Sequence, residues 1–125
     1  MINHIDICIW DRDFSIPVDY NCYEGESLLP EQTDAIRAFL NHPEWIENAR
    51  RLVEHYCREQ VMEDAENSKK DNIFSYIKPQ GIFVRHEKHP RVALMCKYRY
   101  DMEHGLAVVF AANGSVTVGP QDIIL

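Results

Sequence analysis

The chain has 125 residues, 46% of them apolar and 26% charged, values ordinary for one folded domain. Thirteen basic residues face twenty acidic ones, a net charge of −7. That balance argues against a general nucleic-acid binder, which needs clustered Lys and Arg to neutralise phosphates. It favours solubility and, for any partner, a basic one. The composition also excludes a disordered tail and a collagen-like fibre, and a chain of this length folds without a disulfide or metal staple.

His4 to Trp10 sets Ile5, Ile7 and Ile9 against Asp6, Cys8 and Trp10, the period of a strand. Asp11-Arg12-Asp13 reads as a turn. Phe14 to Tyr20 reads as a second strand, which Pro17 demotes to an edge or interrupts. Asn21 to Leu29 reads as loop. Pro30 opens a helix over Glu31 to Leu40, because proline suits the first helical position and acidic groups suit the positive helix end. Asn41 or His42 is the expected cap of a second helix. There Trp45, Ile46, Ala49, Leu52, Val53, Tyr56, Cys57 and Gln60-Val61 recur at helical spacing. Glu47 with Arg51 and Glu54 with Arg58 are expected i,i+4 pairs. The charged stretch Glu63 to Asp71 ends that helix. Asn72 to Lys78 fits either a short helix or part of a strand.

After Pro79 the pattern turns to strands: Gly81 to His86, then Arg91 to Tyr100 with Val92, Leu94, Cys96 and Tyr98 on one face. Leu106 to Ala111 is apolar enough for a strand buried on both faces. Asn113-Gly114 marks a hairpin, and Ser115 to Val118 returns as the last strand. The whole of 1–125 reads as a single α+β domain. An antiparallel sheet, made of the C-terminal meander plus an N-terminal strand, packs against two helices of the N-terminal half.

No signal-peptide pattern opens the chain, and no apolar run approaches a membrane span. Cys8, Cys22, Cys57 and Cys96 never form a CxxC pair. They read as reduced thiols of a cytoplasmic protein, with Cys8, Cys57 and Cys96 buried as small hydrophobes.

Four constellations are candidates for chemistry or recognition. Asp101, Glu103, His104 and Gly105, joined by Asp122, put carboxylates beside an imidazole. Such a loop suits metal binding or acid–base work, or only the closing of its own turn. His86 and His89 lack the further ligands zinc requires. No serine lies in a GxSxG context, and no phosphate-cradling glycine motif occurs. The fourth is acidic. Asp11, Asp13, Asp19, Glu24 and Glu26 concentrate in the N-terminal loops, and Glu59, Glu63, Asp64 and Glu66 lie at the end of the long helix. Charge runs are ordinarily solvated faces. The sharper reading is a docking surface made of Asp11, Asp13, Glu24 and Glu26, with Trp10, Tyr20 and Tyr23 as aromatic anchors.

Tyr100-Asp101-Met102-Glu103-His104-Gly105-Leu106, then Asn113-Gly114, then Val118-Gly119-Pro120-Gln121-Asp122, resembles the ending of a family of small bacterial domains without an assigned function. The likeness is specific over Lys97 to Asp122, and Leu29-Pro30-Glu31-Gln32 resembles the family's helix opening. Some members lie near polymorphic toxin loci, so the resemblance implies an immunity role. It assigns no chemistry to Asp101, Glu103, His104, Gly105, Gly119 or Asp122. The expectation is a non-enzymatic cytoplasmic binding protein, monomeric or weakly self-associating, that occludes a basic toxin with an acidic surface. It needs no cofactor or metal. The alternative is a metal-dependent enzyme or small-ligand binder built on the Asp101 to Asp122 group.

Overall fold

The computed structural model describes residues 2–20, 27–58 and 73–125. Its first strands are β1 (His4–Ile9) and β2 (Arg12–Asp19), followed by the helices α1 (Pro30–Leu40) and α2 (Glu44–Tyr56). A 3-10 turn at Ile73–Tyr76 leads into β3 (Ile77–Val84), β4 (Val92–Tyr98), β5 (Leu106–Phe110) and β6 (Val116–Gly119), and a last 3-10 turn spans Gln121–Ile123. The six strands form one open sheet in the order of the sequence. All neighbours run antiparallel except β2 and β3, which pair in parallel at Val18↔Ile82 and Asp19↔Phe83. The fold is therefore α+β with a mixed sheet, and the N-terminus adds a hairpin rather than one strand. Parallel neighbours need a long crossover, and the segment carrying α1 and α2 supplies it.

The β1–β2 turn lies one residue earlier than the acidic triplet suggests. Ile9 faces Arg12, so the turn is Trp10-Asp11, and both residues have positive φ (48° and 71°). Two-residue hairpins need that geometry and usually take it from Asn-Gly. A bulky side chain there costs about 1–2 kcal/mol. Tertiary contacts hold it. The Trp10 indole N–H donates to Ile46 O at 3.0 Å, and its ring packs 4.9 Å from Phe74. Arg50 adds an ion pair to Asp11 at 3.1 Å.

Pro17 neither ends β2 nor places it at an edge. The Val18 N–H donates to Asn3 O at 2.8 Å, so the alternation of the ladder turns the Pro17 nitrogen toward β3. Pairing with β3 begins only at Val18, so no ladder bond is lost. A bulge in β3 between Pro79 and Gly81 lies at the same place. That strand begins at Ile77, ahead of Pro79 rather than after it.

Both helices cover one face of the sheet. Ile36 and Phe39 of α1 and Ile46, Ala49 and Val53 of α2 pack with Val92, Leu94, Cys96, Tyr98, Leu106, Val108 and Phe110. Leu52, expected in this stripe, is exposed. Neither Asn41 nor His42 caps α2, whose N-cap is Pro43 without a side-chain bond. Instead Trp45 N–H donates to His42 O at 3.0 Å. Glu54 pairs with Arg58 as expected, whereas Glu47 pairs with Arg50 rather than Arg51. The continuation of this helix through Gln60-Val61 and its end near Glu63 to Asp71 lie outside the described residues.

Gln32 is the one buried polar side chain among the described residues. Its Oε1 accepts the Leu29 N–H at 3.0 Å. Its amide donates to Val84 O at 3.2 Å and to Tyr20 O. One side chain thus satisfies an orphan donor at the start of α1 and joins the helix to β3 and the end of β2.

The other face of the sheet carries a smaller cluster of Phe83, Ala93, Ala107, Val109 and Ile124. The C-terminal turn folds back onto it. Arg85 Nη1 donates to Ile124 O at 2.6 Å and Gln121 Nε2 to Cys96 O at 3.0 Å. No helix among the described residues is long and apolar enough to cross a membrane.

Candidate functional site

The loop between β4 and β5 is built around Asp101. Its backbone N–H donates to Tyr98 O at 3.1 Å, and its carbonyl accepts Gly105 N–H at 2.8 Å. Its Oδ1 accepts from the His104 backbone N–H at 3.2 Å and from Nδ1 of the His104 ring at 3.0 Å. Gly105 then takes φ +65°, a conformation open to glycine and strained for other residues. Glu103 and Asp122 are exposed. The loop meets the C-terminal turn through main chain, with Gln121 N–H donating to His104 O at 2.9 Å. Gln121, rather than Asp122, is the side chain that ties the last turn down, donating to Cys96 O of β4. Nothing in its sequence context distinguishes it.

A carboxylate bonded to Nδ1 orients an imidazole and raises its basicity. The His104 pKa is raised by its bond to Asp101 and by the charges of Asp101, Glu103 and Asp122. The His104–Asp101 attraction is therefore complete below the ordinary histidine value near 6.5. It fades as pH rises through the higher folded value. NMR titration is expected to place His104 above 6.5 and Asp101→Asn to return it toward that value. An unshifted wild-type ring would show that the bond does not persist in solution. Among the described residues, no three His, Cys, Asp or Glu side chains converge to hold a metal ion. His86 Nε2 contacts Ser27 O at 3.1 Å.

Cys57 and Cys96 are buried, whereas Cys8, expected to be buried, is exposed on β1. Burial pushes the Cys57 thiol up to about 11 and Cys96 higher still. Thiolates are the nucleophilic form, so these two are core residues. Cys22 lies outside the described residues.

Of the acidic residues grouped by sequence, Asp11, Asp13 and Asp19 are among the described residues. Asp11 and Asp13 are exposed at the turn end of β2. Tyr20 lies past its other end, roughly 25 Å away at strand rise. Tyr20 is also buried, with its hydroxyl donating to Ile2 O. Tyr20 and Trp10 thus serve as core residues rather than exposed anchors. Tyr23, Glu24 and Glu26 lie outside the described residues, as do Glu59, Glu63, Asp64 and Glu66.

Register assembles a different acidic set. Cys8 faces Asp13 and Asp6 faces Ser15, so Asp6 and Asp13 are diagonal neighbours about 7–8 Å apart on one face. Asp19 lies on the same face further along β2, and its pairing with Phe83 shows that this is the side without helices. Asp6 and Asp19 were visible as the polar half of an alternating pattern. Their alignment with Asp13 depended on the register. Arg12 lies on the opposite face, where its guanidinium donates to Phe74 O at 2.7 Å and Ile77 O at 2.8 Å.

The comparison with protein families decides the affiliation. A model of the domain of unknown function DUF6985 matches residues 2–125. The chain belongs to the DUF6985 family. No curated protein matches it, and no solved structure does. In this DUF6985 domain, Gly105 and Gly119 of the C-terminal pattern lie where the sheet and the last turn meet, whereas Gly114 lies in the β5–β6 turn against Trp45.

Proposed function

We propose that this DUF6985 domain is a non-enzymatic binding protein of the immunity class, acting in the bacterial cytoplasm. It neutralises a basic toxin domain by covering it. The observation that carries this reading is the outer face of the β1–β2 hairpin. Asp6, Asp13 and Asp19 share one side of two paired strands there, whereas Asp11 in the turn is paired with Arg50 of α2. Carboxylates held on a sheet at fixed spacing attract a cationic surface at long range and set its register on arrival. Occlusion requires only that the bound domain cover the partner's working surface.

Native mass spectrometry of the tagged protein captured from its source organism, with and without Asp6→Lys and Asp13→Lys, tests the proposal. The expected result is a stoichiometric basic partner whose affinity falls about tenfold or more in the double variant, while the circular dichroism spectrum is unchanged. Equal capture by both proteins would remove this face from the interface. The 3.0 Å bond between Asp101 and His104 favours a second reading, acid–base or small-ligand chemistry at that loop. Under it, His104→Ala abolishes turnover or ligand retention and leaves partner capture intact.

A further inference from the structure

At the end of the sheet away from Gly105, a cavity of about 260 Å3 opens between α1 and the turns that follow β3 and β5. It lies on the helix-covered side, apart from the aspartates of the hairpin. Its floor is made by Val92, Phe110 and Trp45. Trp45 is held firmly: the His42 ring stacks on it at 4.6 Å and 9°, and His42 Nδ1 is bonded to Ala38 O at 2.6 Å. Ala35 and Ala38 of α1 line one wall, and their short side chains leave the slot open. Glu31 and Asp34, on the same helix stripe, are exposed at its rim. The opposite wall carries Lys88 and His89. With histidine counted neutral, two carboxylates face one ammonium, an excess of one negative charge.

We propose that this cavity binds a small organic cation, a primary amine or guanidine carried on a single flat apolar ring. An apolar, preformed pocket with a few charged groups at its mouth is the usual form of a small-molecule site, and this volume suits one ring. Burying the ring removes apolar surface from water against Trp45 and Phe110. The head group meets Glu31 and Asp34 in a charge-assisted contact. A carboxylate on the same ring would meet a rim of its own sign.

The test is a titration with 2-phenylethylamine and, separately, 3-phenylpropanoate, read by the two tryptophan indole N–H signals in NMR. Trp45 lines the cavity, whereas the Trp10 N–H is committed to Ile46 O, so Trp10 serves as an internal reference. The expected result is a saturable shift of Trp45 with the amine and none with the acid. Glu31→Gln with Asp34→Asn, both on the surface, should weaken the amine about tenfold, equivalent to 1.4 kcal/mol. Three results would overturn the proposal: no saturable shift with the amine, equal shifts with both compounds, or an affinity indifferent to the double variant.

Discussion

Replacing Gln32 with leucine is expected to lower the unfolding free energy by about 3 kcal/mol or more. Leucine fills similar space, so the loss would not come from a cavity. It would come from the hydrogen bonds lost at Leu29 N–H, Tyr20 O and Val84 O. Gln32 is fully buried, and a buried bond lost in this way costs roughly 1–3 kcal/mol. Urea unfolding followed by circular dichroism should show a lower midpoint with an unchanged slope. A loss below about 1 kcal/mol would mean that α1 relaxes to let solvent reach these groups.

The second large effect is expected at Gly105. An alanine Cβ would lie 2.9 Å from Cys96 O and 2.7 Å from Gln121 Nε2. The Gln121 side chain can move aside, but its bond to Cys96 O is then lost. The Cys96 carbonyl belongs to β4 and has little freedom to retreat. Positive φ adds about 1–2 kcal/mol and the lost bond about 1 kcal/mol. Gly105→Ala should therefore cost about 3 kcal/mol, or a fall in Tm on the order of 10 °C. Gln121→Ala removes part of the obstruction, so the double variant should cost less than the sum of the single changes. Strict additivity in a thermal-melt cycle would show that Gln121 is not what alanine meets.

Local pattern carried much of the architecture. Alternation in His4–Ile9, the four-residue face of β4 and the unbroken apolar run of β5 follow from side-chain period alone. The turn at Asn113-Gly114 also forms, with Gly114 at φ 87° and Ser115 N–H bonded to Asn113 Oδ1 at 2.9 Å. Pairings between distant segments were not legible. No residue of β2 announces that Val18 will lie beside Ile82, and the parallel step hides Pro17's tolerance inside a sheet. Trp10 reads as a strand residue because its left-handed backbone is imposed by Ile46 and Phe74, which are far off in sequence. Tyr20 looked like a surface anchor because burial depends on what packs over it. The acidic site was legible as a composition but not as a surface, since which aspartates share a face is decided by strand register. The C-terminal pattern pointed to a real junction. Its linking side chain, Gln121, was not among the residues singled out.

The two-rung ladder between β2 and β3 bears on the order in which the chain folds. Strands β3 to β6 are joined by short connections, so their contacts form without closing long loops. The β1–β2 hairpin is equally local. Uniting the two requires closing the whole crossover segment, and loop closure of that length has an entropic cost that the two pairs Val18↔Ile82 and Asp19↔Phe83 offset only in part. Side chains supply the remainder: Arg12 on the carbonyls of Phe74 and Ile77, Trp10 on Ile46, and Gln32 on Tyr20 and Val84. Of these, the bonds of Trp10 and Gln32 are complete only when the helices are seated. Docking of the hairpin is thus coupled to the seating of α1 and α2.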